Sequence, residues 1–230
     1  MAKHLQRDLN NLQRDLLTLA GLVEESIHKA IRSLQTRDVR LAQEVIAADP
    51  QIDLEENHIS EECLKLLALH QPVAVDLRRI VAAMMITTDL ERMGDLAEEI
   101  AERAIALASP PILPIPSRLQ RMTDLTGVMV RHSLDAFVNL DKEQAERVMH
   151  MDDEVDRLNV EIIQEVMQNM KSSPALIEPG LSMFSATRHL ERIADHATNI
   201  AEDVIYLIEG EIVRHRVPAA SPPTVVGEGR

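Results

Sequence analysis

One cysteine, no tryptophan, two phenylalanines and one tyrosine occur in 230 residues. A lone Cys63 excludes an intramolecular disulfide framework and suits a reducing compartment. It stands in the run Cys63, Leu66, Leu67, so it reads as a small buried helix residue rather than a reactive thiol. The scarcity of aromatics leaves the core to Leu, Ile, Val, Ala and Met, within a hydrophobic fraction of 45%. Glycine is also sparse, at 7, and the abundant Ala, Leu, Met, Glu, Arg and Gln favour helix. No run approaches the roughly 20 apolar residues of a membrane span. The opening Met1-Ala2-Lys3-His4-Leu5-Gln6-Arg7-Asp8 has no apolar core of a signal peptide. A cytoplasmic protein with no membrane insertion is therefore expected. No Gly-x-Ser-x-Gly, Walker A or His-Glu-x-x-His string occurs, which removes the usual signatures of nucleophilic, nucleotide and zinc-protease chemistry, and no enzyme is expected. Basic residues are the minority, 24 against 38 acidic, for a net charge of −14. A field of that sign excludes nucleic acid as a partner and leaves cations and basic protein surfaces.

What is present is helical periodicity. Leu5, Leu9, Leu12, Leu16, Leu19, Val23, Ile27, Ala30 and Leu34 recur at spacings of three and four, which predicts one amphipathic helix over about residues 4–35. Asp38 reads as an N-cap for a short helix carrying Val39, Ala42, Val45 and Ile46 on one face. Asp49-Pro50 is expected to restart the chain, with Asp49 as cap and Pro50 in the first turn, for a helix to about Leu69. Gln71-Pro72 makes the next break, and a long helix follows from about Val73 to Ala108. Four prolines then crowd Ser109–Ser117, which cannot be helical and reads as a linker. The order repeats after it: a helix from Leu119 to Leu140, a cap at Asp141, a helix, another from about Asp152 to Met170, interruptions at Ser172-Ser173-Pro174 and Glu178-Pro179-Gly180, and a last helix from about Leu181 to Ile212. The fold class is all-α, a tandem repeat of two helical bundles over residues 1–108 and 118–212. The linker takes 109–117, and a tail over 213–230 is expected to be disordered.

The repeat is visible residue by residue. Leu90-Glu91-Arg92-Met93-Gly94-Asp95 reappears as Leu190-Glu191-Arg192-Ile193-Ala194-Asp195, and ten of the 18 positions from residue 90 are identical one hundred residues later. Asp49-Pro50-Gln51-Ile52-Asp53 corresponds to Asp152-Asp153-Glu154-Val155-Asp156. Four carboxylate pairs with i, i+4 spacing thereby occupy equivalent places: Asp49/Asp53, Glu91/Asp95, Asp152/Asp156 and Glu191/Asp195. Such pairs share one helix face and repel by a few tenths of a kcal/mol. Two helices bringing one pair each would surround a hard cation with oxygen, as magnesium, calcium, manganese or iron prefer. At about 100° per residue, Glu91, Asp95 and Glu99, like Glu191, Asp195 and Asn199, fall opposite the apolar stripe. A metal there is expected near the surface. Acidic residues in that position also serve as a plain solvated face.

The duplicated strings Asp89-Leu90-Glu91-Arg92-Met93-Gly94-Asp95 and Leu190 to Glu202, with Gln71-Pro72-Val73-Ala74-Val75-Asp76-Leu77-Arg78, resemble the signature of the PhoU family over about residues 3–212. The resemblance implies two similar three-helix bundles, a cytoplasmic and often dimeric protein, and negative regulation of phosphate uptake and phosphate-starvation signalling. The implied partners are a phosphate ABC transporter and a phosphate-sensing histidine kinase. It further implies metal clusters (iron, manganese, magnesium or zinc) on Glu/Asp-x-x-x-Asp motifs, here Asp49, Asp53, Glu91, Asp95 and Glu99 in the first half and Asp152, Asp156, Glu191, Asp195 and Asn199 in the second. The chain departs from the pattern at Met93, at Ala194 in place of Gly, at Leu96 against His196 and at Glu99 against Asn199, so the first site is expected to be the more acidic. Two other readings stay open: a metal-free interaction scaffold, and a ferritin-like di-iron enzyme on Glu25-x-x-His28 and Glu55-x-x-His58. The second half has Val128 and Arg131 where the former pair would recur.

Overall fold

Six helices account for nearly all of the computed structural model, which describes residues 2–210, with side chains from residue 4. They are α1 (Ala2–Thr36), α2 (Val39–His70), α3 (Ala74–Leu107), α4 (Leu119–Asn139), α5 (Lys142–Ser172) and α6 (Ile177–Glu209), with one 3₁₀ turn at Pro174–Leu176. The expected tail 213–230 and the expected helix end at Ile212 lie outside the described residues. No described helix is long and apolar enough to cross a membrane.

The two short connectors are built alike. Arg37 and Leu140 each adopt a left-handed conformation (φ 56° and 50°), and each is followed by an extended aspartate. Asp38 Oδ1 accepts the Leu41 amide at 3.1 Å and Asp141 Oδ1 accepts the Gln144 amide at 3.0 Å. Each cap satisfies one of the orphan donors at a helix start. The predicted restarts at Asp49-Pro50 and Asp152 are absent: α2 and α5 each run unbroken through those positions, so Asp49 and Asp152 are mid-helix residues, not caps. Pro50 is exposed, where water can take the carbonyl its missing N–H leaves free. At the start of α6, Gly180 lets the Met170 side chain of α5 pack close against the helix backbone. A Cβ there would sit 2.5 Å from Met170 Cγ of α5.

Helices α1–α3 and α4–α6 form two bundles, as the repeat implied, of three helices each, as the family resemblance implied. The most extensive interface, however, joins the bundles, α3 against α6. These two run antiparallel, since Arg78 lies against Gly210, Asp89 against His196 and Glu99 against His189. Leu90, Met93, Ala97 and Ile100 with Leu190, Ile193, Ala197 and Ile200 are fully buried along them. Each large aliphatic buried this way contributes about 1.5–3 kcal/mol against the entropy of ordering it. One continuous core thus spans both halves. The Pro-rich segment belongs to it. Leu113 is completely buried, and the Arg37 guanidinium donates to the Leu113 carbonyl, pinning the strap to the end of α1.

Candidate metal centre

Close approach of α2 to α3 assembles the first acidic site. Gly94 presents no side chain to α2, and a Cβ on it would meet Ile52 Cδ1 and Cγ2 at 3.1 Å and Asp49 Oδ1 at 3.7 Å. With Ile52 seated on Gly94, the flanking Asp49 and Asp53 are carried beside Asp95. One carboxylate oxygen from each of Asp49, Asp53 and Asp95 lies within 4.8 Å of the others. In the second half the corresponding positions hold Val155 and Ala194, both buried, one side chain a methyl smaller and the other a methyl larger.

Crowding and partial burial make these carboxylates poor hosts for unbalanced charge. Burial, then Asp53 and Asp95, raise the Asp49 carboxyl above the usual carboxylate range. Burial and Asp95 do the same to Glu91, with Arg92 opposing. In the second half, burial followed by Asp195 and Asp156 pushes Asp152 up to about 6. Asp195 is raised by burial and Asp156, against His196, Arg188 and Arg192. Glu191 is raised by burial and Asp195, against Arg188. Asp49 Oδ1, Asp152 Oδ1 and Glu191 Oε2 are buried without a hydrogen-bond partner. Groups of this kind gain from a proton or from a cation. An all-oxygen donor set with unused buried oxygens fits a hard divalent ion.

The structure gathers eight of the ten residues singled out by sequence into two quartets, one per half, in the grooves between α2 and α3 and between α5 and α6. Glu91 and Asp95 are half-buried in the first groove, rather than on an open face. Glu99 and Asn199 stand elsewhere. Both point across the α3–α6 interface, Glu99 Oε2 3.0 Å from His189 Nδ1 and Asn199 Nδ2 donating to Asp89 Oδ1 at 3.2 Å, an oxygen shared with His196 Nδ1 at 2.8 Å. The residue that completes the first acidic row is Glu98, raised by burial and by Asp49, Glu102, Asp95 and Asp53. Helix geometry explains the exchange. Eight residues from Glu91 overshoot two turns by about 80°, whereas seven fall short by only about 20°. The signal was available in the sequence as the heptad spacing Glu91 to Glu98.

Glu25-x-x-His28 and Glu55-x-x-His58 do not converge. Glu25 pairs with Lys29 at 2.8 Å and Glu55 accepts from Gln51 at 2.9 Å, while His28 and His58 are exposed. A feature sequence reading missed is a cleft of about 790 Å³ between α1 and α4, with Arg32, Gly127 and Arg131 in its wall. Arg131 to Glu24 at 3.2 Å and Gln35 to Thr123 at 2.8 Å span it.

The family model described as PhoU domain matches this chain twice, over residues 16–104 and 119–204, which are the two bundles. The chain is 42% identical to the phosphate-specific transport system accessory protein PhoU homolog of Aquifex aeolicus, covering 92% of this chain and 96% of that one. To the homolog of Pseudomonas putida it is 39% identical, covering 94% and 84%. The crystal structure of PhoU from Pseudomonas aeruginosa superposes with a TM-score of 0.87 at 39% identity, covering 90% of this chain and 99% of that one. The phosphate transport system regulatory protein PhoU from Streptococcus pneumoniae gives 0.85 at 32% identity, covering 91% and 99%.

Proposed function

The chain belongs to the PhoU family, and on that premise we propose that it is an accessory regulator of the phosphate transport system. It restrains phosphate uptake and phosphate-starvation signalling by binding partners, without catalysis. The observation that carries this reading is the near-complete two-way coverage of relatives that bear the phosphate-transport accessory name. The partners are a phosphate ABC transporter and a phosphate-sensing histidine kinase, and the working form is a cytoplasmic homodimer. A surface dominated by Asp and Glu, at net −14, suits basic patches on protein partners and repels free phosphate. Exposed aliphatics at the turn from α2 to α3, Leu69 and Val73 at 76% exposure with Val75 and Leu77 beside them, supply apolar contact area of the kind interfaces use.

Asp49, Asp53, Glu91 and Asp95, and Asp152, Asp156, Glu191 and Asp195, would hold the metal ions. A bound cation supplies positive charge that relieves carboxylate repulsion and cross-braces α2 to α3 or α5 to α6, stabilising the folded state by linkage. The competing metal-free scaffold has its own support, because Arg92 reaches both Glu91 at 3.4 Å and Asp95 at 3.1 Å. Elemental analysis of protein purified without chelator or nickel resin separates the two. The regulatory reading is tested by deleting the gene. Phosphate uptake or starvation-regulated transcription in phosphate-rich medium should rise, and an unchanged phosphate response removes the proposal.

A further inference from the structure

The cleft of about 790 Å³ between α1 and α4 falls in the size range of small-molecule sites. Ile27, Ile31 and Val130, all buried, form its apolar depth. Two bridges join its walls, Glu24–Arg131 at 3.2 Å and Gln35–Thr123 at 2.8 Å, about 16 Å apart along α1. A space bounded in that way fits a small molecule and blocks a partner helix from lying along the groove. The wall holds three acids, and each is engaged: Glu24 by Arg131, Glu25 by Lys29 at 2.8 Å and Asp124 by Gln120 at 2.8 Å. Among the described residues the Arg32 guanidinium has no hydrogen bond or ion pair, and His28 stands exposed one turn before it. The duplication explains why the space stays open. At the offset that carries the cap Asp38 onto the cap Asp141, the Glu24–Arg131 bridge would recur between Gly127 and His28, and glycine has no carboxylate to offer. A Cβ on Gly127 would meet nothing within 4 Å, so no packing demand accounts for a residue disfavoured in a helix interior.

We propose that this cleft is an effector site for a small organic monoanion, a single carboxylate on an apolar body. The carboxylate takes the free Arg32 guanidinium in a charge-assisted, bidentate pair, with His28 as a further donor. The apolar body lies against Ile27, Ile31 and Val130 in the room that Gly127 leaves. Charge sets the class. One free guanidinium matches one negative charge. A dianion such as phosphate would meet Glu24, Glu25 and Asp124 in a chain of net −14, and a cationic ligand would find Glu24 and Glu25 already neutralised. A ligand seated there touches α1 of one bundle and α4 of the other. Its binding therefore adds to the α3–α6 contact in fixing how the bundles meet, and gives a regulator an input separate from the acidic rows.

The test is binding of octanoate and of naphthoate to the full chain in excess chelator, followed by ligand-detected nuclear magnetic resonance. At least one of the two should bind saturably, at a single site per chain, with millimolar affinity or tighter. Octylamine and inorganic phosphate should bind at least about ten-fold more weakly. Arg32→Gln should weaken the carboxylate by about ten-fold or more. Gly127→Leu fills the cleft with a better helix former and should abolish binding with circular dichroism unchanged; if that variant loses helix, Arg32→Gln carries the test. The double variant Leu69→Ser/Val73→Ser, which removes exposed aliphatics at the turn from α2 to α3, should bind as the wild type does. No saturable binding of either carboxylate at millimolar concentration would overturn the proposal. So would octylamine or phosphate binding as tightly, full binding by Arg32→Gln or by folded Gly127→Leu, or loss of binding in Leu69→Ser/Val73→Ser.

Discussion

Adding one methyl to Gly94 tests how the first acidic site is built. In the interior of α3, Ala is favoured over Gly by about 1 kcal/mol through backbone entropy. The new Cβ would meet two atoms of Ile52 at 3.1 Å, tighter than van der Waals contact, and overpacking of that kind costs about 1–3 kcal/mol. Gly94→Ala should therefore destabilise by a net of about 0–2 kcal/mol. Ile52 is 2% exposed, so Ile52→Val alone should cost about 0.5–1.5 kcal/mol for the lost methyl. Valine lacks Cδ1, one of the two atoms in the way. In the double variant the alanine methyl enters the space that Cδ1 leaves, giving the Val and Ala that the second half carries at the corresponding positions, Val155 and Ala194. The two changes should then compensate, the double variant being about 1 kcal/mol more stable than the sum of the singles predicts, or about 2–4 °C in Tm for a chain of this length. Urea unfolding in excess chelator measures this free of bound cation. Because Asp49 Oδ1 lies 3.7 Å from the same Cβ position, Gly94→Ala should also loosen the Asp49–Asp53–Asp95 triad. First-half Mn²⁺ affinity should fall in the single variant and recover in the double. Additivity within about 0.3 kcal/mol would refute the claim that this contact sets the distance between α2 and α3.

The remaining expectations concern charge, caps and the strap. Burial and its acidic neighbours raise Asp152 from 3.8 to about 6, so its ionisation penalises the folded state. That penalty is absent below about pH 4, grows as pH rises through the window and is complete above 6. Asp152→Asn in chelator should stabilise by about 1 kcal/mol at pH 7.5, the shift being discounted for solvent screening, and should be neutral at pH 4; equal effects at both pH values would contradict the assignment. Asp38→Ala and Asp141→Ala each remove a cap bond and should cost about 1 kcal/mol apiece, adding in the double variant because the sites are independent. Leu113→Ala should cost about 2–5 kcal/mol, as for a core position, where an exposed linker residue would cost under about 0.5; thermal unfolding distinguishes the two.

Periodicity alone determined the all-helical content, the internal duplication and the caps at Asp38 and Asp141, because each is a local property; it divided α2 and α5 into two helices each, which the structure joins. A stripe at spacings of three and four needs one helix to be recognised, and a cap is a side chain reaching its own backbone three residues on. The carboxylate pairs were legible for the same reason. Pro50 misled because proline's cost of about 3 kcal/mol in a helix interior is a local penalty. The packing of Ala42, Val45, Ile52 and Ile59 along one buried face of α2 outweighs it. Glu99 was assigned to the acidic row by counting in fours, a spacing that drifts 40° each step. The heptad step from Glu91 to Glu98 was the better count and was readable in the sequence, while the placement of α6 supplied His189 as the partner of Glu99. The buried strap at Leu113, the shared core of the two bundles and the Arg188 guanidinium against Glu191 likewise belong to the tertiary structure. Each depends on which surfaces meet across long stretches of chain, and a one-dimensional pattern carries no record of that.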